Sequence, residues 1–171
     1  VEYVAQMPTA RRLVLMRHAK ASSLAEAPTD HARPLEARGR KDAPAVAARL
    51  LDLGWSPELV VCSDATRTQE TWACMEGAFD PPPGLRLEPG LYAAGLDALR
   101  RSALDWDPTL HTVLALGHNP GWELAALSLS GRELALKTGG CVLLEGAGAT
   151  WAQALARPWR LVEVLRPREL R

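Results

Sequence analysis

The chain has 171 residues, with 20 basic and 20 acidic side chains, a formal net charge of zero and 47% hydrophobic residues. That length suits one domain of roughly 100–200 residues with a core of its own, and the composition excludes wholesale disorder. A balanced charge also counts against a protein that coats nucleic acid or an anionic membrane surface, since such proteins carry a basic excess.

Residues 1–10 read as a flexible lead-in, with Met7 a candidate internal start, and residues 11–171 as a single domain. The first twelve residues lack the apolar stretch of a secretory signal, and no run approaches the roughly 18 apolar residues of a membrane span. Cys62, Cys74 and Cys141 are odd in number and far apart, which indicates neither a disulfide framework nor a zinc ribbon. The expected setting is a reducing cytoplasm.

Leu13–Met16 is a short apolar run that ends in Arg17-His18, the pattern of a strand buried on both faces. A polar loop follows from Ala21 to Pro34. Ala43, Val46, Ala47, Leu50 and Leu51 then mark one face of a helix that Gly54 stops. Pro44 is tolerated only in a first turn, so this helix is expected to start near Ala43 or to kink there. Leu59–Cys62 is a second strand, and Ser63-Asp64 are placed to cap a helix from about Ala65 to Gly77. Pro81-Pro82-Pro83-Gly84 is a turn. A strand over Leu85–Leu87, a helix over Leu96–Leu104 and a strand over Thr112–Leu116 come next. Pro120 suits the start of a helix running from about Trp122 to Leu129. Cys141–Leu144 and Leu161–Leu165 are the last strands. Strands alternating with helices give an α/β domain with a mostly parallel sheet.

In such a sheet, ligands bind outside the carboxyl ends of the strands. Three predicted strands stop there in Arg17-His18, in Ser63-Asp64-Ala65-Thr66-Arg67 and in Gly117-His118. With those strands parallel, two histidines and two arginines converge, and Arg67 lies in the positive first turn of a helix. That set suits a phosphoryl group. The remaining histidines, His31 and His111, carry no motif and no metal-ligand spacing. The six tryptophans are scattered over separate elements, as core packing requires and base stacking does not.

The strings LVLMRHAKAS, DHARPLEARGRKDA, LVVCSDATRTQET and VLALGHNPGWE resemble, in order, the motifs of the histidine phosphatase superfamily. They are most similar to its small branch, the SixA-like phosphohistidine phosphatases, and the resemblance runs from about Leu13 to Arg168. It implies a three-layer α/β/α sandwich and catalysis through a phosphorylated histidine, with no metal and no cofactor. His18 then corresponds to the nucleophile, Arg17 and Arg67 to the clamp on the phosphoryl oxygens, and His118 to a donor that stabilises transition-state charge. Ala19 stands where the larger superfamily has Gly, a change the small branch shares.

Four further residues are candidate substrate contacts. Arg33 either reaches the pocket or pairs with Asp30, Ser63 caps its helix and can touch phosphate, Lys20 is a rim charge, and Asn119 shapes the turn before Pro120. Glu88 is the nearest positional candidate for a leaving-group acid. The implied substrate is a phosphorylated protein, through its phosphohistidine, or a small phosphorylated metabolite. A phosphate-binding module without turnover is the non-enzymatic alternative.

Overall fold

The computed structural model describes residues 8–171. Most of the expected lead-in lies outside the described residues. Its last residue, Ala10, already belongs to the first strand, β1 (Ala10–Arg17). The sheet is completed by β2 (Leu59–Cys62), β3 (Gly84–Leu87), β4 (Thr112–Gly117), β5 (Cys141–Ala147) and β6 (Arg160–Leu165), in the order β3-β2-β4-β1-β5-β6. β3, β2, β4 and β1 are mutually parallel, while β5 pairs antiparallel with both β1 and β6. The sheet is therefore mixed, with β5 alone running against the rest. A continuous apolar run reveals burial on both faces but not strand direction, which is why the sequence does not expose this reversal.

Residues alternate between the two faces of the strands, and each set enters its own core. Leu13, Leu15, Val113, Ala115, Val142 and Leu144 pack under α3 (Leu96–Ser102), α4 (Gly121–Ser130) and α5 (Trp151–Leu155). Val14, Met16, Val60, Leu114, Leu116 and Leu143 pack under α1 (Ala37–Asp52) and α2 (Thr66–Met75). This is the three-layer α/β/α sandwich. All six tryptophans are buried, as expected of core residues. Among the described residues no helix is long and apolar enough to cross a membrane.

Two local expectations are corrected. α1 starts at Ala37 rather than near Ala43, with Pro44 inside it, which leaves the alternative of a bend at the proline. The missing proline N–H forfeits one bond of the helix ladder, and burial of Ala43, Val46, Ala47 and Leu50 offsets that loss. α2 starts at Thr66 rather than being capped by Ser63-Asp64; its N-cap is Ala65, which has no capping side chain. α5, only five residues long, is too short to leave a periodic signal in the sequence.

The reversal of β5 has a spatial consequence. The carboxyl edge of the parallel strands receives the loop entering β5, residues 131–140, and the segment leaving β6, residues 166–171. Gly139 N–H donates to the His18 carbonyl at 2.8 Å, so that loop sits directly against the end of β1.

Candidate active site

β1 and β4 are in register at Arg17 and Gly117, so the next residue on each strand is a histidine and the two stand side by side. Their ring centroids are 5.5 Å apart. β2 lies on the other side of β4, and Ser63 N–H donates to Leu116 O at 3.0 Å, bringing Ser63 level with the same pair.

His18 Nδ1 lies 2.8 Å from the Ala19 carbonyl. A carbonyl only accepts, so Nδ1 carries the proton and Nε2 keeps its lone pair. Nε2 has no hydrogen-bond partner among the described residues. The Ala19 peptide is itself fixed, because its N–H donates to Thr71 Oγ1 and that hydroxyl donates to Arg67 O. Burial pushes the His18 pKa down to about 3; the Ala19 bond opposes the shift, and Arg67, His118 and Arg17 add to it. The ring is neutral at pH 7, the form a nitrogen nucleophile requires.

His118 Nε2 lies 2.8 Å from Ser63 Oγ. Ser63 Oγ accepts from Ala65 N–H at 3.3 Å, leaving its own proton to point at His118. His118 is then protonated on Nδ1, which is buried and unpartnered. Burial, and next Arg67, lower its pKa to about 4.

Arg67, the second residue of α2, is 5% exposed. It donates to Asp30 O at 2.8 Å and pairs with Asp30 Oδ2 at 3.1 Å. Asp30 also accepts from the Tyr92 hydroxyl and pairs with Arg33 Nε at 3.0 Å. The Tyr92 hydrogen bond, and then Arg67, hold the Asp30 carboxyl below its ordinary range. The Tyr92 ring stands edge-on to His118 at 5.5 Å. Arg17 donates to Leu136 O at 3.0 Å, and burial is the main influence lowering its pKa.

Among the described residues, the Nε–H groups of Arg17 and Arg67 and Nδ1 of His118 are buried donors with no acceptor. A buried donor left unpaired costs about 1–3 kcal/mol, so this site is suited to an incoming group rich in acceptor oxygens. Fork-shaped guanidinium donors, a neutral imidazole nucleophile and an imidazole N–H are together equipped for phosphoryl transfer.

The four catalytic candidates therefore gather at one place; of the other candidates Ser63 joins them through His118, and Arg33, Asn119, Lys20 and Glu88 do not. Ser63 is fully buried and spends its hydroxyl on His118. Arg33 takes the Asp30 alternative and also donates to Ser22 O. Asn119 donates to Glu123 Oε1 and Leu136 O, both at 2.8 Å, holding the residue 131–140 loop on α4. The Lys20 side chain makes no hydrogen bond or ion pair among the described residues and stays half-exposed. Glu88 is paired with Arg86 at 2.6 Å and accepts from Ser102 Oγ, with no contact to the four. Local spacing does not mark Asp30, Thr71 or Tyr92 as parts of this site. Tyr92 follows β3, a fourth strand ending at the same edge, and that position was the available signal.

The loop carrying His118 is wedged in place. Trp122 packs so closely on Gly117 that a Cβ there would meet its ring at 2.6 Å. A Cβ on Gly121 would lie 1.8 Å from the Ala94 carbonyl oxygen, so the start of α4 rests on the turn that follows Tyr92.

Residues 13–92 match the family model of the histidine phosphatase superfamily, branch 1. An uncharacterized chloroplastic protein of Arabidopsis thaliana is 38% identical over 170 residues, covering 92% of this chain and 78% of that protein. The structure of the putative phosphohistidine phosphatase SixA from Nakamurella multipartitia is 31% identical, with a TM-score of 0.79 over 94% of this chain and 99% of that one. The corresponding protein from Agrobacterium tumefaciens is 26% identical, with a TM-score of 0.77 over 95% of this chain and 100% of that one.

Proposed function

The chain belongs to the histidine phosphatase superfamily, in its SixA-like branch, and from that premise we propose that it removes the phosphoryl group from phosphohistidine in a protein. His18 Nε2 attacks phosphorus in line with the P–N bond. As the new N–P bond forms, the substrate imidazole departs and its nitrogen takes a proton from solvent. Arg17 and Arg67 hold the equatorial oxygens, and His118 Nδ1–H donates to one of them as charge moves. Water then attacks the phospho-His18 intermediate, releasing inorganic phosphate and restoring neutral His18.

The observation that carries this reading is the pairing of a free His18 Nε2 with three buried, unpartnered N–H donors around it. Arg67 bound to Asp30 is ready but not locked, because a phosphoryl oxygen can replace a half-exposed carboxylate. The departing group is an imidazole, whose loss asks less of a protein acid than loss of an alkoxide does, and Glu88 is turned away. All three cysteines are free thiols, and burial pushes Cys62 up to about 12, which makes it a poor competitor to His18 as a nucleophile.

The test is to trap the intermediate with labelled phosphohistidine peptide. Acid-labile, base-stable label on wild type, absent from His18→Ala, is the expected result. A competition between that peptide and a panel of sugar phosphates and nucleotides should favour the peptide in kcat/KM. Preference for an ester would transfer the assignment to a small metabolite, and phosphate binding without turnover would make the chain a binding module.

A further inference from the structure

A cavity of about 410 Å³ opens beside the site, with Arg17 on its wall. Its other walls come from three segments: the first turn of α1 with Arg38, the loop entering β5 with Lys137, and the segment leaving β6 with Arg166 and Arg168. Among the described residues Asp42 is the one acidic residue lining it, and Arg171 holds that carboxylate with two donors, at 2.9 and 3.0 Å. Arg38 stands 3.9 Å from the same carboxylate. Lys137, Arg166 and Arg168 have no carboxylate partner among the described residues. A chain of zero net charge thus concentrates basic charge at one flank of its site.

We propose that this bay binds Asp and Glu side chains that neighbour the phosphohistidine on the protein substrate, a proposal that rests on the phosphohistidine reading above. Three features select that partner. Arg17 belongs to both places, so a chain delivering a phosphoryl group to His18 passes its neighbouring residues across the bay. The Asp42–Arg171 pair is a working example, in the same bay, of a carboxylate held by a guanidinium fork. Arg38, Lys137 and Arg168 are exposed on the rim. Long, solvated cations adjust to the surface of a protein and steer its approach. A small polyphosphate is better held by buried, convergent donors of the kind found around His18, and the bay has cations dispersed over three segments instead.

The test compares two double variants that remove the same charge. Lys137→Gln/Arg168→Gln strips the bay, and Arg101→Gln/Arg157→Gln strips exposed, unpaired arginines elsewhere. The substrates are a phosphohistidine peptide flanked by Asp and Glu, the same peptide flanked by Asn and Gln, and free phosphohistidine. For the acidic peptide the bay variant should lose about tenfold in kcat/KM, chiefly through KM, and wild type should lose a similar factor when salt rises from about 0.05 to 0.5 M. The control variant and the other two substrates should change by less than about twofold. Equal use of both peptides by wild type, or equal losses in both variants, overturns the proposal while turnover of free phosphohistidine keeps the proposed activity standing. Fluorescence anisotropy with an unphosphorylated acidic peptide reads the bay without turnover. Binding to wild type that the bay variant alone loses supports the site even if phosphohistidine proves not to be the substrate; no binding to wild type overturns it.

Discussion

Arg17 and Arg67, at the ends of parallel strands or the helix after one, are tied to a carbonyl or a carboxylate, and Arg67 is almost wholly buried. A short distance along the same sheet edge, Lys137 and Arg168 are exposed and unpaired. Both groups are cationic, and their settings differ in what they can discriminate. Buried, pre-aimed donors reward the charge that develops on a transferring phosphoryl group, because no reorganisation is needed during reaction. Solvated donors pay little for an empty state and accept varied anionic surfaces, giving encounter and selection rather than chemistry. The sheet creates this division: its parallel half supplies the chemistry, and the reversal at β5 brings the second set of cations alongside.

The sharpest way to break the contrast is to remove one cation of each kind. Arg67→Ala should lower kcat/KM on free phosphohistidine by about 10²–10³, the cost of losing an aimed transition-state donor. Arg168→Ala should stay within about threefold in the same steady-state assay. Comparable losses would erase the distinction.

Ser63→Ala tests whether the buried pocket depends on its hydrogen-bond order as well as its charges. Without the hydroxyl, His118 Nε2 loses its partner and the ring is no longer held in the Nδ1–H form. We expect a fall in kcat of about tenfold, together with an altered tautomer signature in ¹⁵N NMR. Ser63→Thr should restore both in part.

Titration separates the two regions again. The folded pKa values of about 3 for His18 and about 4 for His118 lie below the ordinary value near 6.5. The unfolded chain therefore takes up protons first as pH falls, and the stability due to the neutral folded rings is lost from about 6.5 down to about 4 for His118 and about 3 for His18. Denaturant midpoints at pH 7 and pH 5 should differ more in wild type than in His18→Ala/His118→Ala. The bay variant should follow wild type. An unchanged pH dependence in the double histidine variant would show that burial of these rings is not its source.

The smallest effect is expected at Glu88. Glu88→Gln should leave kcat/KM on phosphohistidine within about twofold, since the carboxylate is engaged by Arg86 and Ser102. A tenfold loss would reinstate it as a proton donor.

Much of this site was legible in the sequence because it depends on one simple relation: apolar runs that end at the same sheet edge bring their next residues together. His18, Arg17, Arg67 and His118 follow from that relation. The errors arise where a side chain chooses among partners distant in sequence. Ser63 looks like a helix cap until β4 brings His118 to it, and Asn119 looks like a substrate contact until the loop entering β5 supplies Leu136. Asp30 pairs with Arg33 three residues on, as local spacing allows, but it also gathers Arg67 and Tyr92 from two distant segments, and no local spacing encodes that meeting. Net charge misleads for a related reason. A sum over 171 residues erases position, and the fold places several unpaired cations around one cavity.

The contact between Gly121 and Ala94 limits how this enzyme can diversify. Because the backbone turn after Tyr92 bears directly on the start of α4, lengthening that turn would displace His118 along with it. Substrate range can instead be widened through the exposed residues 23–26 of the polar loop, ahead of Asp30, or through the rim of the bay, where residues can be added or exchanged without disturbing the two histidines. New specificities should accumulate there, while the Tyr92 turn keeps its length.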